Sequence, residues 1–150
     1  MQPGVSTNFD EIKRKVKELN LPMGKYAIFG SVPLAVHGIR ETNDIDIIVT
    51  PELYARFEAT GEWKEETLSD GGKKLVKDSF EVMKTWWSSD SYRRDVTKLI
   101  ADAEMIDGVP VVRLEELLAW KKAFGREKDI MDVKLIEEYL IKQGGSTEST

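Results

Sequence analysis

Apolar positions recur at helical spacing from the start of the chain. Phe9, Ile12, Val16 and Leu19 share one side of a helix beginning near Asn8, where Asn8 and Glu11 have the spacing of a capping box. After the break at LPMG, the run KYAIFG predicts a short buried strand ending in Gly30-Ser31. VPLAVHG predicts a short helix with Pro33 in its first turn and Gly38 as its stop. DIDIIV is the next predicted strand. Thr50 as cap and Pro51 at the first helical position open a helix that ends near Gly61. EWKEETLSDGGKKLV then predicts a hairpin around SDGG, and SFEVMKTWW a further strand. A helix is expected from about Asp90 to Ala101, followed by a hairpin at Asp107-Gly108. Leu114, Leu117, Leu118 and Phe124 mark a helix that stops at Gly125. Ile130, Val133, Ile136, Leu140 and Ile141 mark the face of a last amphipathic helix. Strands and helices mixed in this way predict an α/β (α+β) class around a mostly buried sheet.

Composition narrows the function without naming it. The 150 residues suit one domain, expected over residues 1–143, with GGSTEST (Gly144 to Thr150) as a frayed tail. A formal charge of −5 gives no overall basic footprint for nucleic acid. Cysteine is absent, which excludes disulfides and thiolate chemistry and fits a cytoplasmic protein. One histidine disfavours a multi-histidine zinc site. No apolar stretch is long enough to span a membrane and no signal-peptide pattern opens the chain, so no membrane association is expected. A Lys/Glu-rich, Asn/Gln-poor composition leans weakly toward a thermophilic source. A dehydrogenase of the dinucleotide-binding kind is disfavoured, because no G-x-G-x-x-G turn occurs.

The chemistry concentrates in FGSVPLAVHGIRETNDIDIIVT. On a strand, residues two apart share a face, so Asp44 and Asp46 project together while Ile45 and Ile47 point the other way. Two adjacent carboxylates repel, and a divalent cation such as magnesium relieves them. Taken alone, a D-x-D is common and needs no function. Here it follows Gly30-Ser31 at the end of the preceding strand, where a helix start and a close backbone approach suit phosphate.

Gly-Ser followed after about a dozen residues by D-x-D in an apolar strand resembles the signature of the DNA polymerase beta-type nucleotidyltransferase superfamily. The fuller string FGSVPLAVHGIRETNDIDIIV is similar to a small single-domain branch of it. VVRLEELLAWKKAFGREKDIMDVKLI also resembles that branch, and its Lys-Asp-x-x-Asp is shared with the abortive-infection-type toxin nucleotidyltransferases. The resemblance implies a small mixed sheet packed with helices and a third acid on a later strand. Glu81 is the expected third acid, a departure from the more usual Asp, with Asp78 as the alternative. It further implies that Asp44, Asp46 and Glu81 bind two magnesium ions and that Gly30 and Ser31 hold the phosphates of an NTP. The acceptor would be an RNA end such as that of a tRNA, a protein or a small molecule. A toxin role would bring an antitoxin partner.

Neighbouring residues divide between function and structure. Arg40 suits a triphosphate and equally a salt bridge to Glu41 or another acid. Lys121 and Lys128 are assigned to the nucleotide because the branch repeats them. Asp129 and Asp132 fit ion pairs within a helix as well as they fit a site. His37 is expected to be structural, Thr42 to order its loop, and Trp120 to lie in the core. Trp63, Trp86 and Trp87 are core or cleft-wall residues. Lys73, Lys74 and Lys77 read as a solvated hairpin. The enzyme reading is nucleotidyl transfer from an NTP. The alternative is a catalytically inactive nucleotide- or protein-binding module with the same fold.

Overall fold

The computed structural model describes the backbone of residues 8–68, 72–89 and 92–148, and the side chains of all these except 86–89, 92–94 and 144–148. The predicted strand after the first helix is β1 (Tyr26–Phe29), fully buried along its length. It pairs antiparallel with β2 (Ile45–Val49), bringing Phe29 opposite Asp46. The link between them is the short helix α2 (Val32–Val36), with Pro33 near its start and Gly38 at a φ of 72° just past its end.

Seven strands form one mixed sheet. β3 (Lys64–Thr67) and β4 (Lys73–Lys77) are the predicted hairpin, whose tip, 69–71, lies outside the described residues. β4 pairs antiparallel with β5 (Phe80–Met83), and β5 runs parallel to β2. β8 (Glu104–Ile106) and β9 (Val109–Val111) are the second predicted hairpin, with Asp107 and Gly108 both at positive φ, and β9 runs parallel to β1. The order is β3-β4-β5-β2-β1-β9-β8.

Side-chain alternation divides the core into two layers. Ile45, Ile47 and Val49 join Ile28, Leu75 and Val82 under α1 (Phe9–Glu18) and α3 (Pro51–Thr60). Ala27, Phe29, Ile48 and Met83 face α4 (Val96–Asp102), α5 (Leu114–Phe124) and α6 (Glu127–Glu148). Each fully buried large aliphatic side chain contributes about 1.5–3 kcal/mol relative to exposure. Thr50 caps α3 as expected, accepting from the Leu53 N–H at 3.3 Å, and Gly125 closes α5 at a φ of 66°. No helix among the described residues is long and apolar enough to cross a membrane.

Several expectations are corrected. SFEVMKTWW is two strands: β5 ends at Met83, and exposed Lys84 and Thr85 carry the chain to β6 (Trp86–Ser89). β6 pairs with β7 (Tyr92–Arg94) as a separate ribbon against α5. The helix expected from Asp90 begins at Val96, with the Asp95 carboxylate accepting from the Thr97 N–H at 3.0 Å; Asp90 lies outside the described residues. Asn8 stands at the start of α1 but makes no side-chain cap. Its amide instead donates to the Thr42 carbonyl at 2.7 Å and accepts from the Thr42 N–H at 3.3 Å. α6 runs through Glu148. Its inward side carries Asp129, Asp132 and Ile136, while Ile130 and Ile141 are exposed. In α5 the buried side is Leu114, Leu117, Trp120 and Lys121, and Phe124 is 38% exposed.

Candidate active site

The end of β1 and the starts of β2 and β5 meet at one edge of the sheet. Because β1 and β2 are antiparallel, the turn after Phe29 and the acid at position 46 fall side by side. Because β2 and β5 are parallel and in register, Asp46 stands directly opposite Glu81. Direct partners in a sheet share a face, so both carboxylates belong to the layer of Ile48 and Met83, at the margin where that layer opens into a cleft. The cleft holds about 560 Å³. Gly30, Ser31, Arg40, Asp44, Asp46, Glu81, Lys121 and Lys128 all line it, so every residue assigned to the site from sequence is gathered there. Asp78 lies instead in the β4–β5 turn at a φ of 55°, away from the cleft lining.

The carboxylate edge is short of positive charge. Burial, then the neighbouring charges of Glu81 and Asp44, push the Asp46 carboxyl up to about 7, against smaller opposing effects of Lys74 and Lys121. The oxygen donors of Asp44, Asp46 and Glu81 are of the kind that hold a divalent metal. Among the described residues, no three such side chains are arranged to hold a metal ion as they stand. The expected metal triad therefore lines one cleft without closing on a common point. Lys74 Nζ donates to Glu81 Oε1 at 2.7 Å.

Gly30 is required twice over. Its φ is 67°, and a Cβ there would overlap Asp46 Oδ2. Ser31 begins α2 without spending its hydroxyl on a cap; Arg40 Nη2 lies 3.5 Å from its Oγ.

The basic residues are less free than the sequence suggests. Arg40 makes a two-pronged pair with Asp132, Nε to Oδ1 at 2.9 Å and Nη2 to Oδ2 at 2.8 Å. Of the two roles open to Arg40, the salt bridge is the one formed here, to Asp132 rather than Glu41. Lys121 is 3% exposed and pairs with Asp132 at 2.9 Å and Asp129 at 3.3 Å. Arg126 joins Asp129 at 2.6 Å and lies over the Phe124 ring, 3.8 Å from its centroid. Burial would raise both acids, but hydrogen bonds from Arg40 and Lys121 to Asp132, and from Arg126 to Asp129, hold them below their ordinary value. The network ties the loop before β2 to α5 and α6. Lys128 is exposed on the cleft wall and, among the described residues, has no acidic partner.

Trp120 is in the core, 8% exposed and 5.7 Å from the Phe29 ring. Trp63 packs on Phe57 and Phe80. The Trp86 and Trp87 side chains lie outside the described residues. His37 is half-buried, its Nδ1 is 3.3 Å from Tyr139 Oη, and burial lowers its pKa, in keeping with a structural role. Thr42 orders its loop through Asn8. Lys74 is the site residue that sequence reading missed. The signal was present: buried Leu75 fixes one face of β4, which turns Lys74 toward the face of Glu81.

No family model matches the chain, and no curated protein matches it. Its structure is similar to that of a Thermotoga maritima protein provisionally described as a nucleotidyltransferase, with a TM-score of 0.53 and 19% identity over 90% of this chain and 94% of that one. It is also similar to ANT(2″)-Ia, solved in complex with adenylyl-2″-tobramycin, with a TM-score of 0.47 and 21% identity over 87% of this chain and 86% of that one. The mixed seven-stranded sheet with helices on both faces has the nucleotidyltransferase fold.

Proposed function

We propose that the chain transfers a nucleoside monophosphate from an NTP to an acceptor nucleophile with a divalent metal bound at the carboxylate edge. The observation that carries this reading is the in-register pair Asp46–Glu81 beside the Gly30-Ser31 turn in one cleft. The description of the Thermotoga maritima neighbour agrees with it. Asp44, Asp46 and Glu81 would hold magnesium. Bound there, magnesium would offset the charge growing on the α-phosphate and acidify the acceptor hydroxyl.

The chain's own residues do the rest. The Gly30 backbone and the Ser31 hydroxyl hold the β- and γ-phosphates, and Lys128 supplies positive charge from the opposite wall. Arg40 and Lys121 act on the phosphates through the Asp132 network that positions them. The acceptor oxygen attacks the α-phosphorus, a new P–O bond forms, the bond to the α–β bridging oxygen breaks, and pyrophosphate leaves. One carboxylate of the edge takes the acceptor's proton. The acceptor is an RNA end, a protein or a small molecule, and a toxin role with an antitoxin partner belongs to the first two.

The test is incubation with each α-labelled NTP, magnesium and either total RNA or cell extract. Label should move onto one fraction with the native chain and not with Asp46→Asn. A second reading, a non-catalytic nucleotide-binding module, is favoured by the hold of Lys74 on Glu81. NTP binding without label transfer or pyrophosphate release would select it and end the transferase reading.

A further inference from the structure

Lys74 stands apart from the lysines around it. Lys73 and Lys77 lie on the other face of β4 and pair with exposed Glu65 and Glu62. Lys74 lies in the cleft, 21% exposed at its side chain, with its ammonium 2.7 Å from Glu81 and 3.9 Å from Glu66. The register explains the position. Glu66 is opposite Lys74 on β3, and Lys74 is opposite Met83, two residues from Glu81 on β5. Glu81 in turn faces Asp46 on β2. These residues share one face of the sheet and form a stripe that alternates in sign until it reaches the two acids. An ammonium fixed at this point is a cation supplied by the chain beside the carboxylates of Glu81 and Asp46.

We propose that Lys74 takes the place of one of two divalent ions, so that the nucleotide-loaded site holds a single metal. This rests on the nucleotidyl-transfer reading and replaces its expectation of two magnesium ions. The Lys74 hydrogen bond engages an oxygen of Glu81 that a second ion would need. Lys74 is thus a positioning and charge-supplying residue.

Manganese bound per chain is counted by electron paramagnetic resonance, with the α,β-methylene analogue of each NTP in turn. One ion is expected in the native chain, one in Lys74→Arg, and two in Lys74→Met, with circular dichroism showing each variant folded. Two ions in the native chain, or one in Lys74→Met, would overturn the role of Lys74 while leaving the transferase reading intact. No ion in the native chain with any analogue would overturn both.

Discussion

The carboxylate of Asp46 occupies the space in which a side chain at position 30 would sit. The Phe29–Asp46 register sets the two backbones side by side. Gly30→Ala therefore meets two penalties, a left-handed φ that costs about 1–2 kcal/mol and an overlap that turns the Asp46 carboxylate away. Urea unfolding should show a loss of at least that size. Manganese affinity should fall by about tenfold or more, a change that backbone strain alone would not produce.

The raised pKa of Asp46 has a definite sign in stability. The unfolded chain releases this proton near 3.8, and the folded chain keeps it to about 7. Between those values the folded state binds more protons, so metal-free stability falls as pH rises across that window. Asp46→Asn removes this loss. Thermal unfolding in chelator should show Asp46→Asn more stable than the native chain at pH 8 and flatter between pH 4 and 7. A variant less stable than the native chain at pH 8 would contradict the charge shortage at the edge.

Asp132 accepts from both Arg40 and Lys121, and its removal leaves a buried ammonium with one acid fewer. Breaking a buried pair from one side costs about 3–5 kcal/mol. Asp132→Ala should unfold at correspondingly lower urea. The native chain has the opposite pH trend here: Asp129 and Asp132 sit below their ordinary value, so their stabilisation is present above it and is lost as pH falls through the lowered values. Acid titration of the native chain and of Asp132→Ala should differ mainly on that low-pH arm.

Much of this was legible in the sequence because local rules and the fold agree. Thr50-Pro51 start a helix, Asp107-Gly108 turn a hairpin, and the alternation of DIDIIV sets Asp46 against Ile45 and Ile47. The failures have physical causes. Aromatic content masked the break at Lys84-Thr85. The apolar pattern put Ile130 inward on α6, whereas three cations on other segments made Asp129 and Asp132 the buried residues. Asn8 bonds to Thr42, 34 residues away, a contact that no capping rule contains. Lys74 and Glu81 are seven residues apart, and only the β4–β5 register makes them neighbours.

Calorimetric titration of magnesium with each NTP, into the native chain and an Asp44→Ala/Asp46→Ala double variant, asks whether the carboxylate edge is a metal–nucleotide site. At least one NTP should bind the native chain in a magnesium-dependent way, and the double variant should lose about two orders of magnitude in affinity. Equal binding by both proteins, or no NTP binding to the native chain, would contradict it.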